Sequence, residues 1–305
     1  MYDSSDPRSR MAAAAAAPKA AAPQAFAGAD YGLFYATDPQ VVSDGASTWL
    51  TRGQNFLVAH STLDAGGSLA RAGQLDEYVL LLPDRDVPAV IEANGEKVEV
   101  DGFSLVILPP GDSRITLPKG GRATRIFSTR SGDLNALCSN ADSYAEPHPN
   151  VALLELWPEP VGGFKIRVYG LDIPKTPGRF GRIFRCTTMM VNYLDEQHGP
   201  RDITKLSPHH HDDFEQGSLA LDGAFTHHLR WPWTTNLNVW RDDEHALVQS
   251  PSLTVIPPPA IHTSRGMDAG LNQLIDIFSP PRVDFSKQGW VLNADEYPLP
   301  ANLGD

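Results

Sequence analysis

The sequence predicts an all-β protein, and two features of its composition and patterning carry that prediction. Proline and glycine are abundant, with 26 and 25 residues, and they separate short segments rich in Val, Ile, Leu, Phe and Thr. Many short apolar segments joined by turn residues are typical of a β-sandwich or a β-barrel. Long segments with the period of an amphipathic helix are hard to find, so few helices are expected.

Each predicted strand is a short apolar segment bounded by turn residues. The predicted strands are residues 55–60, 77–82, 89–92, 97–100, 104–108, 124–128, 153–157, 165–169, 183–192, 217–221, 224–229, 252–256 and 273–278. The dipeptides Asn94-Gly95 and Asp222-Gly223 lie between apolar segments. Each predicts a tight hairpin, because the central residues of such a turn must reach positive φ.

Length, composition and charge set the class of protein. The chain has 305 residues, of which 41% are hydrophobic and 20% charged, which suits one large domain or two of ordinary size with a buried core. Its formal net charge of −12 argues against a nucleic-acid partner and against docking on an anionic membrane. A small-molecule partner is expected instead.

The two cysteines, Cys138 and Cys186, lie far apart in the sequence. They imply neither a disulfide framework nor a cysteine-rich zinc site, and they fit a reducing, cytoplasmic location. Residues 1–28 are rich in Ala and Pro, and their apolar stretch is too weak for a signal peptide. We therefore expect this segment to be a disordered leader.

An internal repeat indicates that a β-domain is duplicated. Residues 104–114 (SLVILPPGDSR) align with residues 252–262 (SLTVIPPPAIH), and both read as a buried strand that ends in a proline turn. The alignment places Arg114 where the second copy has His262. The segment 139–149 reads as a linker, which predicts an N-terminal domain over residues 29–145 and a C-terminal domain over 146–305.

Three consecutive histidines lie just before the predicted strand 217–221. Side chains two residues apart point to the same side of an extended segment, so His209 and His211 are expected to project together and His210 away from them. A solvated, tag-like surface tract is the alternative interpretation.

Further candidate ligands lie nearby in the sequence or at a second strand end. Glu215 or Gln216 offers an oxygen atom, and His262 follows the run Pro257–Pro259. Imidazoles with one oxygen ligand on a β-scaffold suit a divalent transition metal (Fe, Mn, Ni, Cu or Zn) and leave positions open for substrate.

These residues resemble the two motifs of the cupin family. The first motif has the form HxH, three or four residues, a carboxylate, six residues and Gly; here it reads His209-His-His211, Glu215-Gln216 and Gly223. The second has the form G, five residues, PxG, two residues and H. Here it reads Pro251, Pro257–Pro259 and His262, so that proline stands at both glycine positions while the spacing to the histidine holds.

The resemblance implies a fold of two tandem cupin (double-stranded β-helix or jelly-roll) barrels. It implies one metal per chain, in the C-terminal barrel, since no HxH precedes Arg114 in the first copy. The N-terminal barrel is then a degenerate cupin without a metal site. The resemblance also implies a homodimer.

The oxygen ligand stays open between two neighbours. Gln216 leaves the usual six residues before Gly223 and resembles the neutral ligand of small cupins that open unsaturated uronate sugars. Glu215 would resemble a dioxygenase or decarboxylase cupin. With Gln216 as the ligand, Glu215 becomes an acid/base candidate.

The segment after Gly223 supplies two more catalytic candidates. One of His227 and His228 is expected to face the cavity, and His228 is taken as the candidate. Arg230 is expected to hold a substrate carboxylate by a bidentate contact, with a salt bridge at the barrel rim as the alternative.

Three functions remain open at this stage. The first is a metal-dependent isomerase or lyase acting on a small oxygenated organic acid or sugar acid, with the metal as Lewis acid. The second is an Fe- or Ni/Mn-dependent dioxygenase. The third is a non-catalytic bicupin that binds a small molecule, since a fold alone never fixes function.

Overall fold

The computed structural model describes residues 25–148 and 150–303. These residues form many antiparallel strands, and the only α-helices among them are the short α1 (Gly132–Asn135) and α2 (Val283–Lys287). The predicted all-β class is therefore confirmed. Within the described ranges no helix is long and apolar enough to cross a membrane.

The first barrel consists of a seven-stranded and a four-stranded antiparallel sheet. In chain order its strands are β2 (Val41–Ser43), β3 (Ala46–Arg52), β4 (Phe56–Leu63), β5 (Ser68–Gln74), β6 (Tyr78–Leu82), β7 (Ala89–Ala93), β8 (Glu96–Val100), β9 (Ser104–Leu108), β10 (Gly111–Thr116), β11 (Gly121–Ser128) and β12 (Arg167–Gly170). The larger sheet has the order β12-β9-β6-β11-β4-β3-β2, and the smaller one β5-β10-β7-β8.

The second barrel repeats this arrangement. Its strands are β1 (Asp30–Gly32), β13 (Arg182–Arg185), β14 (Met190–Tyr193), β15 (Gln197–His198), β16 (Gln216–Asp222), β17 (Ala224–Arg230), β18 (Glu244–Gln249), β19 (Ser252–Ile256), β20 (Ile261–Gly266) and β21 (Leu271–Phe278). The larger sheet has the order β1-β19-β16-β21-β14-β13, with β15 also on β21, and the smaller one β18-β17-β20.

Each barrel receives one strand from the other half of the chain. Tyr31 of β1 pairs with Thr254 of β19, and Val168 of β12 pairs with Val106 of β9. The boundary between residues 145 and 146 stays a prediction. The exchanged strands mean that no single cut in the sequence separates all the strands of one barrel from those of the other.

The main hydrophobic core lies between the two larger sheets. Val79 and Leu81 of β6 belong to the same buried cluster as Leu219 of β16 and Ile275 of β21. Because strand residues alternate between faces, their neighbours along each strand point into the two barrels instead. The barrels therefore share one core and keep separate interiors.

One of the two predicted hairpins is present. Asn94 and Gly95 have φ values of 49° and 84°, and β7 pairs directly with β8 across them. The Asp222-Gly223 prediction is wrong, because β16 pairs with β19 and β21 while β17 lies in the smaller sheet. This turn carries the chain from one sheet to the other at the barrel edge.

Three further expectations need correction. Residues 153–157 form no strand, and residues 183–192 form two strands, β13 and β14, instead of one. The predicted disordered leader covers residues 1–28, and its residues 1–24 lie outside the described residues. Its last four residues are ordered: Phe26 is buried in a cluster with Trp231, whose indole Nε1 donates to the Ala27 carbonyl.

Candidate metal centre

Main-chain pairing brings two of the predicted histidines together. His209 and His262 form an isolated antiparallel bridge, in which each backbone N–H donates to the other residue's carbonyl at 3.0 and 2.7 Å. His211 follows two residues after His209 and points to the same side, as alternation predicts. One nitrogen from each of the three imidazoles lies within 4.8 Å of the other two.

His210 points away, as expected. More than half of its side chain is exposed, and its Nε2 lies 3.5 Å from an Asp212 carboxylate oxygen. The alternative interpretation of the histidine run, a solvated surface tract, therefore applies to His210 and not to His209 or His211.

Backbone carbonyls fix the rings of His209 and His262. The Nδ1 atom of His209 donates to the Ser207 carbonyl at 2.9 Å, and that of His262 donates to the Ala260 carbonyl at 2.9 Å. A ring that donates through Nδ1 keeps the Nε2 lone pair available for a metal.

Gln216 supplies the oxygen atom nearest to the histidines. Its Oε1 lies 2.9 Å from His211 Nε2 and 3.3 Å from His262 Nε2. Neighbouring ligands at right angles around a metal with bonds of about 2.1 Å are about 3.0 Å apart. These separations therefore match a shared coordination sphere.

The amide of Gln216 is oriented from behind. Its Nε2 donates to Asp276 Oδ1 at 2.9 Å and to Ser218 Oγ at 3.1 Å. With both N–H groups engaged in this way, the carbonyl oxygen must face the imidazoles. A carboxylate behind an amide also increases the electron density on that oxygen.

His211 is held as a neutral imidazole. Its ring stacks on Phe214 with centroids 4.4 Å apart. Burial, and then the nearby Arg282 guanidinium and the other two histidines, keep the pKa of His211 well below its usual range. A neutral imidazole is the form that binds a metal.

Glu215 does not join this cluster, which corrects its expected role as an acid or base beside the metal. It is buried on the opposite side of the strand from Gln216, where its carboxylate accepts from the Gln54 backbone N–H at 2.6 Å and from the Tyr144 hydroxyl at 2.9 Å. His148 Nδ1 lies 3.3 Å from a Glu215 carboxylate oxygen, and this nearby carboxylate raises the pKa of His148. Glu215 ties the second barrel to the first barrel and the linker.

His227, and not His228, faces the interior of the barrel. On β17, His227 lies opposite Ser264 of β20, two residues from His262 and on the same face. Its Nδ1 lies 2.8 Å from Ser264 Oγ, while its buried Nε2 has no hydrogen-bond partner among the described residues. Burial, followed by the nearby His262, lowers its pKa to about 3.

His228 and Arg230 lie on the outer face of the smaller sheet. Nδ1 of His228 is 2.8 Å from Nδ1 of His245, and Arg230 Nε donates to Asp243 at 2.9 Å. These four residues line an outward-facing cavity of about 190 Å³, to which His262 also contributes. The structure therefore favours the rim salt bridge for Arg230 and places His228 and Arg230 on the opposite face of the sheet from His227.

A row of polar residues crosses the interior of the second barrel beside Gln216. Cross-strand pairing aligns Asn192, Asp276, Ser218 and Thr254 on four adjacent strands. All four are buried. Both side-chain polar atoms of Asn192 and the Thr254 hydroxyl have no partner among the described residues, which is unusual for buried groups and typical of a ligand cavity.

Sequence reasoning missed Asn192, Thr254 and the orientation of His227. A signal was present in the sequence, because Asn192 interrupts an otherwise apolar strand and Thr254 stands between Leu253 and Val255. Only the strand pairing shows that these residues form one row with Asp276.

The alignment of Arg114 with His262 is wrong in three dimensions. Arg114 is exposed and its guanidinium donates to Ser68, whereas the preceding residue, Ser113, is buried in the barrel. Ser113 follows Leu108 by five residues, whereas His262 follows the equivalent Ile256 by six, so the connection is one residue shorter in the first barrel, and such a shift exchanges the two faces. Ser113 is therefore the counterpart of His262.

Comparisons with known proteins give a fold but no relative in sequence. No protein-family model matches the chain, and no curated protein does. The solved oxalate decarboxylase of Lactobacillus farciminis, in its formate complex, superposes with a TM-score of 0.54 at 12% identity and covers 87% of this chain and 88% of its own. AerE from Microcystis aeruginosa gives 0.53 at 6% identity, with coverage of 78% and 94%.

At these identities the likeness establishes the fold alone. Oxalate decarboxylase is a bicupin, and the sheet orders described above repeat in both halves of this chain. The protein therefore has the fold of two tandem cupin barrels, as the sequence motifs predict.

Proposed function

We propose that this protein is a metal-dependent cupin enzyme of the isomerase or lyase type that acts on a small organic acid. The observation that carries the proposal is the convergence of three imidazole nitrogens and the Gln216 oxygen on one point of the second barrel. The similarity in fold to an oxalate decarboxylase, an enzyme named for a small dicarboxylate, adds support.

The proposed ligands are His209, His211, His262 and Gln216. A bound divalent metal would act as a Lewis acid on a carbonyl or carboxylate oxygen of the substrate. Three neutral imidazoles and a neutral amide leave the full charge of the metal available, which favours an anionic substrate. The donor set fits Fe, Mn, Ni, Cu or Zn, and their availability selects among them.

The polar row is proposed to orient the substrate. Asn192 offers an amide donor and acceptor, and Thr254 offers a hydroxyl, beside the Gln216 and Asp276 side chains. Such uncharged groups can bind the oxygens of an acid or hydroxy acid and hold the reacting bond toward the metal.

His227 is proposed to carry the proton. Ser264 fixes its ring through Nδ1, and the uncommitted Nε2 faces the same interior as His262. A ring that is neutral at pH 7 can accept a proton from the substrate and return it on another atom. His227 thereby takes the role that sequence reasoning gave to Glu215 and His228.

One observation favours a dioxygenase as the second candidate. His211 packs between the rings of Phe214 and Phe278, at centroid distances of 4.4 and 5.9 Å, so one side of the cluster is apolar. An apolar wall beside open metal positions suits oxygen binding. The neutral Gln216 ligand and the polar row favour the reaction without net redox change.

The test is a product screen with the metal-loaded protein. Small hydroxy acids, oxo acids, dicarboxylates and uronates are incubated separately, and products are followed by proton NMR together with an oxygen electrode. We expect product without oxygen uptake in the wild type, none with His262→Ala, and a large loss of kcat with His227→Gln. Full turnover by His262→Ala would contradict the proposal, and oxygen uptake equal to product would replace it with the dioxygenase.

A further inference from the structure

The two barrels have matching strand pairings, so each residue of the metal centre has a counterpart in the first barrel. In the second barrel Gln216 lies opposite Ile256, and in the first Tyr78 lies opposite Leu108. Likewise His209 pairs with His262, and Arg71 pairs with Ser113. In the first barrel, therefore, Tyr78 is the counterpart of Gln216 and Arg71 is the counterpart of His209. Ser113 is the counterpart of His262.

Two more counterparts complete the set. His211 follows His209 by two residues, and Gly73 follows Arg71 by the same step. Asp276 lies opposite Ser218, and Arg125 lies opposite Leu80. The first barrel thus replaces metal ligands and their supporting carboxylate with two arginines, two hydroxyl groups and a glycine.

These side chains come together around one aromatic ring. The guanidinium carbons of Arg71 and Arg125 lie 5.7 and 5.5 Å from the centroid of the Phe127 ring. Tyr78 stacks on that ring at 4.6 Å, and its hydroxyl lies 2.7 Å from Ser113 Oγ. Two cationic groups and a hydroxyl pair therefore border one small region.

Arg125 is mostly buried and forms no ion pair with a carboxylate among the described residues. It is 8% exposed, and its buried Nε has no hydrogen-bond partner within residues 25–148 and 150–303. Arg71, in contrast, is bound through Nη2 to Asp133 at 2.9 Å and through Nε to Gln74 at 2.7 Å. A buried cation without a counter-ion is strongly unfavourable, and a bound anion removes that cost.

The first barrel has no side chain at the position that corresponds to His211. Gly73 takes that position, it is exposed, and a Cβ atom placed on it would meet nothing within 4 Å.

We propose that the first barrel binds a small oxyanion between Arg125, Tyr78 and Ser113, at the position that corresponds to the metal centre of the second barrel, with Arg71 held by Asp133 at its border. The planar fork of the Arg125 guanidinium suits a carboxylate or a tetrahedral oxyanion such as phosphate. The hydroxyl pair donates to a remaining oxygen, and the aromatic ring limits the ligand to a small one.

The test is isothermal titration calorimetry on the full-length, metal-loaded protein in a chloride-free buffer at constant ionic strength. Sodium acetate and sodium oxalate are the carboxylate probes, and sodium phosphate is the inorganic probe. Melting temperature with each probe gives a second readout. We expect one probe class to bind at one site per chain that persists in His262→Ala, and to raise the melting temperature.

Variants locate the site. Arg125→Met keeps much of the side-chain volume and removes the charge, and should weaken binding by about tenfold to a hundredfold. The exposed neighbour variant Arg114→Gln is the matched control and should bind as the wild type does. His262→Ala should lose any probe binding at the metal centre and keep this site, since it alters only the second barrel.

The outcomes separate this site from the metal centre. Binding lost in His262→Ala but retained in Arg125→Met places the anion in the second barrel and overturns the proposal. So does the absence of any heat or melting shift at about 10 mM of every probe. If Arg125→Met does not fold, Tyr78→Phe replaces it, and binding unchanged by that variant also counts against the site.

Discussion

The two barrels share a topology but have interiors of opposite character. The row of the second barrel that contains Asn192, Asp276, Ser218 and Thr254 is polar. The corresponding row of the first barrel contains Ala59, Arg125, Leu80 and Val106, and is apolar apart from the arginine. One scaffold thus carries a packed hydrophobic interior in one copy and a row of buried polar side chains in the other, and the difference lies in the residues of a single sheet face.

The comparison also shows that the same backbone pairing carries different side chains in the two barrels. The main-chain pairing that joins His209 to His262 is kept between Arg71 and Ser113. The backbone that presents the histidine cluster is therefore part of the barrel itself, and the side chains alone distinguish the two positions.

The largest expected effect comes from the packed interior. Leu80→Ala removes a fully buried side chain from the first barrel and should lower the free energy of unfolding by about 2–5 kcal/mol. Thr254→Val, in the equivalent row of the second barrel, removes a hydroxyl without a partner and should change stability by less than about 1 kcal/mol. Urea unfolding measures the free energy of unfolding of both variants. Equal decreases would contradict the difference between the packed interior of the first barrel and the polar row of the second.

The next largest effect is expected on metal affinity, when the hydrogen bond that orients the Gln216 amide is removed. Asp276→Ala removes the carboxylate that orients the amide, so metal affinity should fall by about tenfold to a hundredfold. Asp243→Ala removes a carboxylate from the outer face and is the matched control. A competition titration with a chelator measures the affinities, and an unchanged value for Asp276→Ala would remove Gln216 from the ligand set.

Stability should fall in acid, with similar contributions from both halves of the chain. Burial lowers the pKa of His60 and of His227 from 6.5 to about 3. The unfolded chain therefore binds protons first, and stability that is complete above pH 6.5 is lost as the pH falls toward 3. Each histidine should contribute about 1 kcal/mol per pH unit.

Urea unfolding at pH 7, 6 and 5 tests this dependence, with His60→Gln and His227→Gln as variants that should each flatten the slope. A slope that persists unchanged in both variants would assign the acid sensitivity to other groups. Comparing the slopes of the two variants also shows whether His60 and His227 contribute equally to the loss of stability in acid.

The smallest expected effect is that of Arg114→Ala. Because this arginine is exposed and lies outside the barrel interior, the variant should keep the metal content of the wild type. Metal analysis checks this, and a clear loss would show that the first barrel takes part in metal binding.

The sequence predicted the class of fold and the histidine cluster for a clear physical reason. Turn residues, apolar alternation and the spacing of His209, His211 and His262 are local features that survive in the folded chain. What it failed to predict depends on pairing between distant strands. The inward face of Ser113, the orientation of His227 and the row containing Asn192 follow from register, which a single sequence does not encode locally.

Two errors had a more specific cause. Asp222-Gly223 has the composition of a hairpin turn but connects two sheets, because β16 finds its partners in β19 and β21. Glu215 adjoins Gln216 in the sequence, which suggested an acid or base beside the metal, yet neighbouring positions point to opposite sides of a strand, and the amide takes the inner one.

The measurement that tests the central claim most directly is the metal content per chain, by inductively coupled plasma mass spectrometry, of protein purified without a His tag or chelator. The account predicts about one equivalent of a divalent transition metal in the wild type and in Arg125→Met, and none in His211→Ala or His262→Ala. Metal retained in full by both histidine variants, or two equivalents in the wild type, would contradict a single centre in the second barrel.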